Sequence, residues 1–124
     1  MEMSLGEVLD RFTILRLKLE RIRDKNLIPE YEAFKKTIEE YKKNGVNLKQ
    51  KWIDDLYEVN GKIWDLEFDI RRGKEGELGL EEVGRRAIAI RNLNNIRVNI
   101  KNKVAEETGI GFKDIKKDHA SADG

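Results

Sequence analysis

Apolar residues recur at steps of three and four along most of this chain, and this spacing limits what it can fold into more than any other feature does. Residues with that spacing lie on one face of an α-helix. The clearest run lies near the start of the chain and comprises Leu5, Val8, Phe12, Leu15, Leu19 and Ile22. A chain of 124 residues has the length of one domain, so the pattern predicts a single all-α domain.

Local signals divide the chain into about four amphipathic helices. Ser4 and Glu7 form a capping box, in which each side chain binds the backbone N–H of the other residue at a helix start. Pro29 suits the first turn of a second helix, and Asn47 can cap a third. We predict helices over residues 4–25, 29–43, 48–72 and 80–108, in a bundle domain of residues 1–109 with coiled-coil-like packing, followed by a partly disordered tail of residues 110–124.

A glycine-rich segment, residues 73–79, separates helix three from helix four. Its glycine spacing resembles a phosphate loop, but such a loop follows a strand, so we interpret this segment as a turn. We therefore predict a long antiparallel hairpin folded about Gly76, in which facing residues have numbers that sum to about 152. Two acidic side chains are then expected opposite side chains of helix four: Glu67 near Arg85 or Arg86, and Glu58 near Asn94 or Arg97.

Charge is abundant but nearly balanced, with 25 basic and 24 acidic side chains, so no global field favours nucleic acid or an anionic membrane. Helix four nevertheless has no acid between Gly84 and Val104. It carries six cations there: Arg85, Arg86, Arg91, Arg97, Lys101 and Lys103. Because helix three is rich in acids, we predict ion pairs between these two helices and do not expect nucleic acid as a partner.

The chain has no cysteine, no long uncharged run and no basic leader. These features exclude disulfides and thiolate metal sites, and they predict a cytoplasmic protein that does not enter a membrane. The Lys and Glu content resembles that of thermophile surfaces, but nine Asn oppose that interpretation, so the growth temperature stays open.

Few groups suggest catalysis. Carboxylates three or four residues apart, as at Glu7 and Asp10, could hold Mg²⁺ and invite comparison with all-α nucleoside triphosphate pyrophosphohydrolases. Arg85, however, stands where that pattern has an acid. His119 lies in the tail without neighbours that would fix its geometry. We therefore predict no metal and no cofactor, assign no catalytic residue, and favour a protein that is not an enzyme.

Three stretches resemble a known family. They are SLGEVLDRFTILRLK at residues 4–18, VNGKIWDLEFDIR at 59–71 and NNIRVNIK at 94–101. Together they resemble an uncharacterised family of short all-helical proteins of bacteria and their viruses. The resemblance implies an all-helical fold and a bacterial, archaeal or viral origin, and it implies no activity.

Polar side chains beside the apolar seams define a candidate ligand site. On helix one, helix three and helix four they are Glu7, Arg11, Lys18, Glu67, Arg71, Arg97 and Lys101. Two acids and five bases would make a shared pocket cationic by about three charges, which favours a phosphate or carboxylate ligand. The alternative is that these side chains form exposed pairs between helices.

Two functions remain open from the sequence. We favour a non-catalytic assembly module that forms a two-fold homodimer, because helix three carries a second apolar stripe of Ile53, Tyr57, Trp64 and Phe68 that needs a cover. Helix two is the other candidate cover for this stripe. The alternative function is a binder or enzyme that acts on a small anionic metabolite, such as a nucleotide, in a cleft between helices.

Overall fold

The computed structural model describes residues 3–71 and 79–110, and within these ranges the chain is helical with no strand. It confirms the predicted all-α bundle. The four α-helices are α1 (Leu5–Arg21), α2 (Ile28–Lys43), α3 (Gln50–Arg71) and α4 (Leu80–Thr108), and a short 3-10 helix (Lys25–Leu27) joins α1 to α2.

Helix α1 begins where predicted but ends early. The Ser4 side chain accepts a hydrogen bond from the backbone N–H of Glu7 at 3.1 Å, which satisfies one of the free N–H groups of the first turn. The helix ends at Arg21 rather than Lys25, because Arg23 adopts a left-handed conformation with a φ of 62°. The apolar spacing carries no signal for that single backbone conformation.

The other helix ends lie close to their predicted positions. Pro29 stands in the first turn of α2. Helix α4 spans the predicted residues 80–108, and the residue that follows it, Gly109, has a φ of 74°. Helix α3 begins at Gln50 rather than residue 48, so Asn47 is too far upstream to be its cap. The predicted turn at Gly76 and the predicted disorder of residues 111–124 lie outside the described residues.

The apolar core forms where α1, α2 and α3 meet. Its buried side chains include Leu9, Phe34 and Leu56 from these three helices. Helix α4 contributes Val104 and Ala105 near its C-terminal end, and these are its buried residues among those described. The rest of α4 lies along α1 and α3 through polar and half-buried side chains, so the α4 contacts are where a polar site can form.

Helices α3 and α4 run antiparallel, as predicted. Near one end, the Arg86 side chain donates to the Leu66 carbonyl at 3.4 Å, so their numbers sum to the expected 152. Near the other end, Lys49 just before α3 forms an ion pair with Glu107 at 2.7 Å. The expected approach of Glu58 to helix four was wrong, because Glu58 is exposed and pairs with Lys62 of its own helix at 3.3 Å.

Helices α1 and α4 cross at Gly6. A Cβ atom placed on this glycine would lie 3.0 Å from the carbonyl oxygen of Lys101 and 3.1 Å from its Cα. The two backbones can approach this closely because glycine has no side chain. Side chains one turn further along α1 therefore lie directly against α4.

Candidate functional site

Three polar side chains are buried at the centre of the bundle. Asp10 and Thr13 are 0% exposed and Asn60 is 6% exposed. The Asn60 side-chain amide donates to Asp10 Oδ1 at 2.9 Å and to Thr13 Oγ1 at 3.0 Å. The Thr13 hydroxyl in turn donates to the Asp10 carbonyl at 2.8 Å. In the described part of the chain every buried side-chain nitrogen or oxygen has a hydrogen-bond partner, as a stable interior requires.

Arg97 of α4 balances the buried charge of Asp10. Its Nε donates to Asp10 Oδ1 at 2.9 Å and its Nη2 donates to Oδ2 at 2.6 Å, which is the two-point geometry that suits guanidinium and carboxylate. The hydrogen bonds to Asp10 raise the pKa of Arg97, while desolvation opposes them and the charges of Glu7 and Glu67 add to the increase. Arg97 therefore carries a fixed positive charge.

A second ion pair lies beside the first. Lys101 of α4 places its Nζ 3.1 Å from Glu7 Oε1 and 3.9 Å from Asp10 Oδ2. Glu7 also accepts a hydrogen bond from Arg11 Nε at 3.3 Å. Two acids of α1 thus hold two bases of α4, and this polar contact replaces apolar packing at the α1–α4 crossing.

The polar network forms one wall of a cleft between α1, α3 and α4. The cleft has a volume of about 380 Å³, a size suited to a small ligand. Its apolar lining comes from Ile14, Leu17 and Ile63, and its other lining residues are Lys18, Asn60, Trp64, Glu67, Asn94 and Arg97.

Three polar groups of the cleft have no partner among the described residues. Lys18 has no ion-pair or hydrogen-bond partner for its ammonium within residues 3–71 and 79–110. Asn60 directs its NH₂ group at the carboxylate of Asp10, so its Oδ1 has no partner in this part of the chain. Asn94 accepts from Arg97 Nη1 through Oδ1 at 3.3 Å, and its NH₂ group has no partner there. These three residues therefore present one cation, one acceptor and one donor.

Trp64 separates this cleft from a second hollow. It lines the cleft, and it also borders a hollow of about 570 Å³ with Ile22, Asp65 and Phe68. The Arg21 guanidinium lies over the indole at 5.9 Å from the ring centroid, a cation–π distance. The indole therefore borders the cleft and also contacts the Arg21 guanidinium.

The structure brings most of the predicted site residues together. Lys18, Glu67 and Arg97 line the cleft, and Glu7 and Lys101 form the ion pair next to Asp10. Arg11 does not line the cleft; its side chain is 56% exposed and pairs with Glu7 at 3.3 Å. The side chain of Arg71 lies outside the described residues.

From the sequence, Asp10 was considered only as a carboxylate spaced from Glu7, and its role as the buried partner of Arg97 was missed. This residue belongs to a stripe of Gly6, Asp10, Thr13 and Leu17, which are spaced four, three and four apart and are all buried. An acid on a buried stripe beside a small and a hydroxyl residue was the available signal, since a buried charge requires a partner.

Among the described residues, the charges at the cleft do not add up to the predicted excess of about three positive charges, which included Arg71. Asp10 lies directly against Arg97, and Glu7 neutralises Lys101. Of the charges in and directly under the cleft, Lys18 and Arg97 give two positive and Glu67 and Asp10 give two negative. The cleft is therefore balanced, with Lys18 as the cation that the described residues leave unpaired.

Two cations of α4, Arg97 and Lys101, form their ion pairs with acids of α1 rather than with the acids of α3 that we expected. Arg86 does reach α3, at the carbonyl of Leu66 next to Glu67. Arg85 and Arg86 each pair with Glu82 of their own helix at 2.9 Å. These ion pairs reduce the charge available to a phosphate backbone.

The apolar stripe that suggested a dimer is largely covered within the chain. Ile53 is buried in the core that includes Phe34 and Ile38 of α2, so helix two covers this part. The Tyr57 ring lies 4.2 Å from the Arg16 guanidinium. Phe68 remains 46% exposed.

Comparisons of the chain with protein-family models, with curated proteins and with solved structures give no match. The resemblance to a helical family of bacteria and their viruses stays a prediction. Within residues 3–71 and 79–110, no three His, Asp or Glu side chains come together as a metal site would require. No helix of this part of the chain is both long and apolar enough to cross a membrane.

Proposed function

We propose that the protein binds a small organic molecule with one anionic group in the cleft between α1, α3 and α4. The observation that carries the proposal is the Lys18 ammonium, which lines the cleft without a carboxylate partner among the described residues. Apolar lining with a few convergent polar groups is the usual composition of a ligand site. We propose binding without catalysis, because the cleft presents no nucleophile beside a base.

Lys18 and Arg97 have different parts in this proposal. Three of the five N–H groups of Arg97 are used by Asp10 and Asn94, so two remain for a ligand. Its position is fixed by the buried carboxylate. Lys18 is a point charge on a flexible stem, and it can follow the anionic group of ligands of different length.

The experiment uses Trp64 as a reporter of the cleft. The chain has two tryptophans, and Trp52 lies in the core at 4% exposure. In a Trp52→Phe background the emission comes from Trp64 alone. Titration with nucleotides, pyrophosphate, sugar phosphates and dicarboxylates should give a saturable change in emission for at least one probe.

Lys18→Met is the test variant and Lys103→Met is its matched control, because Lys103 is exposed on α4 and does not line the cleft. Losing a charge-assisted hydrogen bond should raise Kd about tenfold or more in Lys18→Met, and Lys103→Met should leave Kd unchanged. The proposal is wrong if no probe binds, or if both variants change Kd equally.

A second candidate function is self-assembly as a two-fold homodimer. Helix α4 supports it, because Ile88, Ile96 and Val98 are 53%, 46% and 48% exposed. Such side chains become covered when a second helix packs on them. Light scattering over a concentration series tests this: a mass that stays at 14.5 kDa would reject it.

A cytoplasmic location is part of the proposal. The absence of cysteine supports it, since a chain without disulfides suits a reducing compartment.

A further inference from the structure

We infer that the ligand of this cleft carries hydroxyl groups next to its anionic group, as a phosphorylated or carboxylated sugar does. The inference rests on the proposed function and names the class of ligand. It is carried by two side-chain amides that line the cleft, those of Asn60 and Asn94, whose Oδ1 and Nδ2 atoms respectively have no hydrogen-bond partner among the described residues.

These two amide atoms have opposite hydrogen-bonding roles. Asn60 Oδ1 can only accept a hydrogen bond, because its NH₂ group is committed to Asp10 and Thr13. Asn94 Nδ2 can only donate, because Oδ1 of the same amide accepts from Arg97. The buried carboxylate therefore fixes the orientation of both amides through Asn60 and Arg97.

Simple anions do not match both amide atoms. A dicarboxylate or the dianion of a phosphate monoester presents acceptors only, so it could receive a hydrogen bond from Lys18 or Asn94 but could not donate to Asn60. A hydroxyl group donates one hydrogen and accepts through two lone pairs. Neighbouring hydroxyls on one carbon framework therefore match the donor and the acceptor together.

The apolar lining of the cleft indicates what carbon framework the ligand should have. The indole of Trp64 and the side chains of Leu17 and Ile63 line the same cleft. They present apolar surface that needs C–H groups of a ligand to cover it. A hydroxylated carbon ring has both kinds of surface, with C–H groups on its faces and hydroxyls on its rim.

The binding test compares five probes in the Trp52→Phe background: methyl phosphate, succinate, glucose 6-phosphate, gluconate and uncharged glucose. We expect at least one of the two hydroxylated anions to bind about tenfold more tightly than the simple anion that shares its charged group, because unpaired polar groups in a site discriminate strongly against ligands that lack the partner. Glucose 6-phosphate and gluconate distinguish a phosphate from a carboxylate.

Asn94→Asp tests the donor. Aspartate keeps an oxygen for Arg97 but replaces the open NH₂ group by an acceptor. Asn95→Asp is the control, because this substitution adds the same charge at an exposed position of α4. Both variants add one negative charge to α4, so the difference between their Kd values for the hydroxylated anion that binds isolates the loss of the donor. This Kd should rise about tenfold more in Asn94→Asp than in Asn95→Asp.

The results of these titrations distinguish a failure of the hydroxyl inference from a failure of the proposed function. If simple anions bind as tightly as their hydroxylated counterparts, the inference is wrong and the proposed function stands. If glucose binds as tightly as glucose 6-phosphate and Lys18→Met has no effect, the anionic group of the proposed ligand is wrong, and only the recognition of hydroxyl groups stands. If no probe binds, both are wrong as stated.

Discussion

Arg97 of α4 donates two hydrogen bonds, of 2.9 Å and 2.6 Å, to the carboxylate of Asp10 in α1. The Asp10 side chain is 0% exposed and that of Arg97 is 27% exposed. The pair therefore places a full negative charge in the interior and covers it with a cation that still borders the cleft. Because Asp10 is more deeply buried than Arg97, removing Arg97 alone should affect stability differently from removing both residues.

Arg97→Met should destabilise the protein by about 3–5 kcal/mol, because it leaves a buried carboxylate without its cation. The double variant Asp10→Leu with Arg97→Met removes both charges and should be clearly more stable than Arg97→Met alone. Urea unfolding of the two variants and the wild type measures this difference. Equal stability of the single and double variants would contradict the assignment of Asp10 as an ionised buried group.

Gly6→Ala should destabilise the bundle by about 1–3 kcal/mol. The new methyl group would lie 3.0 Å from the Lys101 backbone oxygen, and a backbone atom cannot rotate away, so α4 has to shift. The matched control is Gly61→Ala, whose nearest neighbour is the mobile end of Arg21 at 3.4 Å. This second substitution should be neutral or stabilise by up to about 1 kcal/mol, because alanine favours helix.

The urea midpoints of the two alanine variants test the close approach of α1 and α4. If Gly6→Ala were tolerated as well as Gly61→Ala, the crossing at Gly6 would be looser than the structure describes.

Thr13→Val should cost about 1–3 kcal/mol. Valine has the shape of threonine but leaves the Asn60 NH₂ group without its second acceptor and the Asp10 carbonyl without its donor. Thr37→Val on α2 is the control, because the Thr37 hydroxyl donates only to the carbonyl of Ala33 in its own helix. Its cost should stay within about 0.5 kcal/mol. Similar costs at both positions would show that the buried network adds nothing to stability.

The Glu20–Tyr57 hydrogen bond should make stability depend on pH at both extremes. The hydrogen bond from Tyr57 lowers the pKa of Glu20 below its usual 4.5, so this stabilisation is present above pH 4.5 and is lost as the pH falls through the lowered value. The hydrogen bond to Glu20 raises the pKa of Tyr57 above its usual 10.0. That contribution is present below pH 10 and is lost as the pH rises through the raised value.

Tyr57→Phe removes both effects. The difference in Tm between wild type and this variant should be largest between about pH 5 and pH 10 and should shrink on either side. A difference that is constant from pH 3 to pH 11 would show that the hydrogen bond does not form in solution.

Local patterns predicted most of the secondary structure. The capping box at Ser4, the proline at the start of α2 and the glycine after α4 each act on the residues next to them, so their effects can be read from neighbours in the sequence. The early end of α1 depends on the left-handed conformation of Arg23, a non-glycine residue for which composition gives no signal.

The candidate site was predicted in part for the same reason. Lys18, Glu67 and Arg97 stand beside apolar seams, and helical periodicity alone places such residues where helices meet. Asp10 was missed as the partner of Arg97 because the two residues are 87 positions apart. The many acids of helix three predicted partners there for Arg97 and Lys101, but these two cations pair with α1.

The sequence by itself determined that this chain forms four amphipathic helices, because helix formation and capping follow from side chains within one or two turns. Only the tertiary structure decided which polar side chains share an environment. The close crossing at Gly6 brings α4 against α1, where Asp10 forms an ion pair with Arg97. Lys18 is then left without an ion-pair partner among the described residues. A pairing between distant residues depends on the angle and distance at which two helices pack, and periodicity within each helix does not contain either quantity.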